Sequence, residues 1–445
     1  MERLWGSPGA ELVLVWGRRR VGKSYLLAHF ARGKRAVHYT ATERAPELEL
    51  AEFSERVREV LRPGPRDVLE SGPFRSWDDA LHYLAAAAQR QRLLVILDEF
   101  SYLVEADPSL PSVIQRFWDT AGRSSKLSLV VCGSATNVLA KLDEERAPLF
   151  GRFTARMQIH PFSYREASAF HPELDAAARA RVYGIVGGMP LYLKMWNAKD
   201  GLRGNLVRLF ADPASPLVNE GELLLRTELP DAAGYFRLMS AVAAGRTTYS
   251  EIRDVAKIEP SRGLERLIGV RLLERRVPVT EDPDRTRLRI YRIADNFLAF
   301  WFRFIYSHRG EIDRGLGSRV VEQLVLPHLD DHMGPVFEEM CRDYVRAKTG
   351  SGRSRVPEVT AVGNWWTADG QTEVDVVGMR GRDVVLAGEA KWGRRAGRRD
   401  LDALRRKVER IPRAIDPTLG LFAREHFTDV DDRGALLVTA NDLYE

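Results

Sequence analysis

Residues 12–31 constrain the fold of this chain more than any other stretch. LVLVW (12–16) reads as a buried strand, and a helical pattern runs from Ser24 to Phe30. Between them, Gly17-Arg18-Arg19-Arg20-Val21-Gly22-Lys23-Ser24 fits GxxxxGK[ST]. A strand before it and a helix after it give this octet its meaning as a phosphate-binding loop. Gly17 and Gly22 let the backbone wrap closely around an anion, and backbone N–H groups at a helix N-terminus bind it. In such a loop Lys23 reaches the β- and γ-phosphates of ATP, and the Ser24 hydroxyl binds Mg²⁺.

Three more apolar runs follow: AVHYT (36–40), LLVILD (93–98) and LSLVVCG (127–133). Near-continuous apolar strands separated by helices predict a parallel sheet covered on both faces. The third strand ends in Asp98-Glu99, at the carboxyl edge where open α/β sheets bind ligands. Asp98 is placed to hold the Mg²⁺ shell and Glu99 to polarise the attacking water. Ser134 and Asn137 follow the next strand, where a polar residue contacts the γ-phosphate or the water, or simply caps a helix. Arg152, in PLFGRF, is a candidate to stabilise transferred charge, from the same subunit or from a neighbour in a homo-oligomer.

The chain has 445 residues, room for two to four domains. Its two cysteines, Cys132 and Cys341, exclude a disulfide framework and a Cys-based zinc site. They fit a reducing cytoplasm. No apolar run approaches the ~20 residues of a membrane helix, and the N-terminus lacks a signal peptide's apolar stretch. His328 and His332 flank Asp330-Asp331 between two prolines and read as a solvated turn.

A second constellation lies near the C-terminus. TEVDVVG (372–378) alternates, which predicts Glu373 and Asp375 on one face of a strand and Val374 and Val376 on the other. VVLAGEAKW (384–392) puts Glu389 and Lys391 on one face of the next strand. An Asp, thirteen residues, then Glu-x-Lys is the PD-(D/E)xK nuclease pattern. Asp375 and Glu389 are oxygen ligands for Mg²⁺, a metal that activates water and offsets phosphate charge. Lys391 orients the water. The preceding helix, VFEEMCRDYV, offers Glu338 as a further acid, with Glu339 second. From Arg380 to Arg413, twelve Lys/Arg face five Asp/Glu, a basic run suited to a nucleic-acid backbone such as DNA.

Residues 231–306 read as three helices and a strand pair, a helix-turn-helix with a wing. Arg262 and Arg266 lie on the polar side of the third helix, the one that could enter a major groove. FLAFWFRFIY (297–306) reads as core.

GRRRVGKS, VILDEFSYL, CGSATNVL, PLFGRFTARMQIHPFSYREA and VGGMPLYL, in this order, resemble the archaeal-type ATPases, a P-loop family of AAA+/STAND-like proteins. The resemblance spans roughly residues 5–310. It implies an α/β nucleotide domain, a helical lid and a winged helix, with Gly188 and Pro190 in a lid turn near adenine. The family usually has another helix and a Gly-Arg-containing box before the first strand, contributing to the adenine site, and the sequence here begins at MERL, where that helix would be ending. FEEMCRDYV, GNWW, TEVDVVG and GEAKW resemble the uncharacterised domain attached to these ATPases, itself similar to PD-(D/E)xK nucleases. The expected organisation is therefore a P-loop α/β domain over 1–165, a lid over 166–230, a winged helix over 231–310, a linker over 311–335 and a nuclease-like α/β domain over 336–445. Three functions follow: an ATP-regulated nuclease acting on DNA, a nucleotide switch whose C-terminal domain binds nucleic acid without cutting it, or a protein-interaction module.

Overall fold

The computed structural model describes every residue except 66, 135–141, 143, 230, 231, 351–354, 394, 431–433 and the side chain of 228. The chain divides into two compact units, Met1–Pro161 and Phe162–Glu445. Asn137 and Arg394 lie outside the described residues.

In the first unit, β1 (Glu11–Trp16), β2 (Ala36–Thr40), β3 (Leu93–Asp98), β4 (Leu127–Gly133) and β5 (Ala155–Gln158) form one parallel sheet in the order β2-β3-β4-β1-β5. Alternate side chains of each central strand go to opposite faces. Leu12 and Leu14 of β1, with Val95 and Leu97 of β3, pack against Phe53, Leu84 and Phe117 from the helices Pro46–Leu61, Trp77–Arg90 and Leu110–Thr120. Val13 and Val15, with Ile96, Val130 and Cys132, pack against Leu27 and Phe30 of the helix Lys23–Ala31. Both faces are covered, which is why these strands read as unbroken apolar runs. Each fully buried Val or Leu contributes about 1.5–3 kcal/mol. Ser76 caps the helix Trp77–Arg90, and Asp78 and Asp79 in its first turn complement the helix dipole.

The second unit opens with helices, among them Ala176–Val186, Pro190–Met195 and Gly201–Phe210. Three more follow at Ala233–Ala243, Tyr249–Ala256 and Ser261–Gly269. They precede an antiparallel ribbon of β6 (Leu273–Arg276) and β7 (Ile290–Ile293). Thr248 and Glu251 close a capping box on the second of the three. As expected, the aromatic run is core: Phe297, Phe300, Trp301, Phe302 and Phe304 are buried, and the Trp301 indole donates to the Val218 carbonyl.

The expected linker over 311–335 is instead helical. Backbone helix runs through Ile312–Val325, broken at Gly315 (φ 80°), into the helix Leu326–Lys348. Val320, Val321, Val325, Leu329 and Met333 form the apolar stripe that holds it down. Gly317 is needed there, because a Cβ would collide with the Ala211 backbone. His332 is likewise no solvated turn residue. It is buried in this helix with Nε2 2.9 Å from the Gly184 carbonyl oxygen, and burial pushes its pKa down to about 4. His328 is the exposed member of the pair and lies beside Asp331.

The last sheet combines β8 (Ala361–Trp366), β9 (Glu373–Arg380), β10 (Asp383–Lys391), β12 (Ala414–Ala423) and β14 (Leu436–Thr439) in the order β14-β12-β10-β9-β8. A short pair, β11 (Ala396–Gly397) and β13 (Phe427–Thr428), stands apart. β8, β9 and β10 are antiparallel, and β12 and β14 join parallel to β10. The helices Leu326–Lys348 and Arg398–Val408 pack on this sheet. The alternation expected through 372–378 is broken. Gly363 pairs with Val377 but Trp365 with Val374, so Asp375 and Val376 oppose the single residue Asn364. This bulge puts Val374 and Val377, not Val376, in one apolar cluster.

Arg342 ties the helix to the sheet. Its side chain is 1% exposed, it pairs with Glu339 at 2.9 Å, and it donates to the Asp375 carbonyl at 2.6 Å. Arg342→Met leaves the Asp375 carbonyl without its donor and Glu339 with only Arg276 and Arg346, at a cost of about 1–3 kcal/mol. Urea unfolding followed by tryptophan fluorescence should show the lowered midpoint.

Candidate functional site

The parallel register brings the ends of β1, β4 and β3 to one edge of the first sheet. Trp16 is level with Gly133, and β4 separates β1 from β3. The loop after β1 closes on itself. The Lys23 ammonium donates to the carbonyls of Gly17 at 2.9 Å and Arg18 at 3.0 Å, which holds the loop as a ring. Arg20 (φ 69°) and Gly22 (φ 93°) are both left-handed, the conformation that curves successive N–H groups around an anion. A Cβ at Gly17 would collide with the Ile159 carbonyl, so only glycine fits there. Val21 is buried, Ser24 opens the helix exposed, and Arg19 is exposed.

Asp98 is fully buried at the end of β3. Its Oδ1 accepts from the Glu99 N–H at 3.0 Å, and its Oδ2 has no hydrogen-bond partner. His38 Nε2 lies 3.8 Å from that oxygen. Burial raises the pKa of this carboxyl, but polar contacts from His38, Ser24 and Cys132 outweigh burial and hold it ionised below the ordinary range. A buried anionic oxygen without a partner, beside the Ser24 hydroxyl, fits a magnesium ion: a hard cation bound through few protein oxygens, with phosphate and water completing its shell. The sequence pattern did not single out His38. Its signal is its place on β2, directly paired with β3.

Glu99 has left-handed backbone (φ 51°), a strained state for a non-glycine residue that is stored at functional sites. Its Oε2 accepts a hydrogen bond from the Ser134 hydroxyl at 2.8 Å. The residue at the tip of β4 thus orients the acid at the tip of β3. Arg152 is held elsewhere in this state. It makes a forked pair with Asp119, at 2.7 Å from Nη2 and 3.0 Å from Nε, and the pair depresses the Asp119 pKa. Arg152 must leave that carboxylate before it can meet a phosphate.

In the second unit, Pro190 starts the helix Pro190–Met195, after Gly187 in left-handed conformation (φ 67°). A Cβ at Gly188 would collide with the Phe162 backbone, whose N–H donates to the Gly188 carbonyl.

The carboxylates near the C-terminus converge around lysines. Asp375 Oδ2 accepts from the Ala390 N–H at 2.8 Å and lies 3.8 Å from Lys391 Nζ. Lys391 pairs with Glu389 Oε2 at 2.7 Å, so the two share a face as expected. Lys407 takes the other Glu389 oxygen at 2.6 Å. Glu338 lies 3.9 Å from Arg342. Burial first, then the charges of Glu338 and Glu389, raise the Asp375 pKa. The expected metal set of Glu338, Asp375 and Glu389 is not assembled as a cage. Among the described residues no three His, Cys or acidic side chains stand close enough to hold a metal. The physical reason is the two ammonium groups, which neutralise Glu389 where a cation would. Asp375 and Glu389 are oxygen donors of the kind Mg²⁺ takes, but both lie against Lys391, so a metal there must displace a lysine. Lys407 was not foreseen. Its signal was the stripe Leu401, Leu404 and Val408, which turns the adjoining position 407 toward the sheet. Glu339, the second choice, is an ion-pair partner of Arg276, Arg342 and Arg346.

Ser134→Ala removes the donor that orients Glu99 and touches no part of the phosphate loop. Nucleotide affinity should stay within twofold while kcat falls about tenfold, ~1.4 kcal/mol, by steady-state turnover and calorimetry.

Comparisons with known proteins agree with this layout. Residues 1–196 match the model of an ATPase domain predominantly from Archaea, and residues 301–404 match that of archaeal and bacterial proteins of unknown function. An uncharacterised protein of Methanocaldococcus jannaschii is 25% identical over 397 residues, covering 87% of this chain and 84% of its own. Among solved structures, the Walker-type ATPase of Pyrococcus abyssi covers 66% of this chain and 91% of its own, at 20% identity and a TM-score of 0.46. Cdc6p from Pyrobaculum aerophilum covers 72% and 91%, at 15% identity and a TM-score of 0.35. The chain thus resembles archaeal ATPases over residues 1–196 and, further along the sequence, a domain of unknown function over residues 301–404.

Proposed function

We propose that this protein binds and hydrolyses MgATP at the edge of its first sheet, and that its C-terminal domain is a metal-dependent, nuclease-like module acting on DNA. The observation that carries the first part is the Ser134–Glu99 hydrogen bond beside the unpartnered Asp98 oxygen. Lys23 exchanges the carbonyls of Gly17 and Arg18 for the β- and γ-phosphates. The N–H groups of residues 18–24 line the phosphates, and Glu99 takes up the proton of the attacking water. When bound at Ser24 and Asp98, Mg²⁺ neutralises charge on the transferred phosphate.

The second part rests on Asp375, Glu389 and Lys391 on neighbouring strands, with Glu338 approaching from the helix. Lys391, once released from Glu389, orients water or offsets phosphate charge. The basic run 380–413 and the three-helix ribbon module, read as a winged helix with Arg262 and Arg266 on its third helix, supply positive charge for a DNA backbone. The lysine clamp on Glu389 favours one alternative: a domain that holds nucleic acid without cutting it.

Lys23→Ala should abolish nucleotide binding, because the triphosphate loses its main cation. Glu99→Gln should keep binding and lose turnover by about 10²-fold or more. Equal ATP affinity in wild type and Lys23→Ala would overturn the nucleotide assignment.

With Mg²⁺ or Mn²⁺ and linear, circular or branched DNA, the wild type should cut, and Asp375→Ala or Glu389→Ala should lower the rate by orders of magnitude. DNA retained without cleavage under every metal would select the binding-only alternative.

A further inference from the structure

Inside the second unit, a cavity of about 510 Å³ lies between the three-helix ribbon module, the helix Leu326–Lys348 and the last sheet. Arg292 and Arg303 line it, with Glu338. A larger groove of about 1050 Å³ runs along β7 past Arg287 and Trp366. The two share Thr247, Ile290, Tyr291 and Glu373 as walls, so the groove and the cavity adjoin.

Arg276, Arg292 and Arg303 line the cavity together with Glu338 and Glu373. Arg276 is matched by Glu274 and Glu339. Arg292 and Arg303 have no carboxylate within ion-pair distance among the described residues; Arg303 only rests on the Phe304 ring. Both guanidinium groups bear on buried His332, which places them around one space. Burial and the neighbouring Arg276 charge push the Arg292 pKa down to about 10 against the pull of Glu274 and Glu339, and burial lowers that of Arg303 against the pull of Asp331. Two half-buried guanidinium groups whose nearest carboxylates stand beyond ion-pair distance leave donors available to a ligand. A planar, forked guanidinium matches phosphate oxygens. The volume suits a nucleotide-sized group, within the ~300–1,000 Å³ of small-molecule sites, and excludes a duplex. The open groove favours a chain passing through over a free nucleotide.

We propose that Arg292 and Arg303 bind a backbone phosphate of a single nucleic-acid strand, which enters along β7 and is led toward Glu338. This rests on the reading that the Glu338–Asp375–Glu389 cluster acts on nucleic acid.

The test is anisotropy of a fluorescein-labelled oligothymidylate on the full chain in EDTA, where binding is read without cutting. The double variant Arg292→Gln/Arg303→Gln should bind at least tenfold more weakly. Its slope of log K against log salt should fall by up to ~1.4, from ~0.7 per single-strand phosphate contact. Unchanged affinity and slope would overturn the proposal. The double variant should melt no lower than wild type, since it removes two unpaired cations; a lower melting temperature would make the arginines structural and overturn it too. Arg292→Lys/Arg303→Lys keeps the charge and should keep the slope. If pyrophosphate, measured in the Lys23→Ala background, binds through these arginines and the oligonucleotide does not, the strand assignment falls. Failure of wild type to cut with Mn²⁺ while arginine-dependent binding persists would remove the nuclease reading alone.

Discussion

The parallel pairing of β1, β4 and β3 brings three separate chain segments, from Glu11–Trp16, Leu93–Asp98 and Leu127–Gly133, to one sheet edge. β1 delivers the phosphate loop, β3 delivers Asp98 and Glu99, and β4 delivers Ser134 between them. The pairing is held by alternating side chains buried on both faces, so a slip of one residue would turn each strand's faces over. The chemistry needs Ser134 in reach of Glu99 and an unpaired Asp98 oxygen near Ser24. Both follow from strand register, not from loop geometry. The ring that Lys23 makes with Gly17 and Arg18 fixes the curvature of the loop.

The C-terminal cluster is built on a different device. A bulge in β9 places Asp375 where the sheet is irregular, and the backbone of β10 fixes its carboxylate through Ala390. Buried Arg342 fixes the same residue from the helix side. Three acids in a low-dielectric site repel one another, and Lys391 and Lys407 answer that repulsion at Glu389. The same lysines set the condition for any metal: a cation must outcompete an ammonium for a carboxylate oxygen.

Much of this was legible in the sequence where chemistry dictates residue type at fixed spacing. The octet 17–24 follows a strand and opens a helix, Asp98-Glu99 ends a strand, and Glu389 and Lys391 share a face of β10, as the spacing predicts. Legibility failed where tertiary packing overrode local signals. Gly310, Gly315, Gly317, Pro327 and Pro335 made 311–335 read as a linker, yet one glycine serves a helix break and another a close helix approach, and the i, i+4 apolar residues were the stronger signal. His332 followed the same error. The bulge in β9 has no signature in a strand that alternates so cleanly, and the Lys407 clamp and the Arg152–Asp119 pair join residues far apart in sequence, which periodicity does not report.

The claim on which the rest stands is that one nucleotide binds at the edge of the first sheet. Hydrogen–deuterium exchange on the full chain, with and without a non-hydrolysable ATP analogue and Mg²⁺, tests it directly. Protection should rise at the amides of residues 18–24 and at Glu99, with none at 373–391. Protection absent from 18–24, or centred on 373–391, would contradict it.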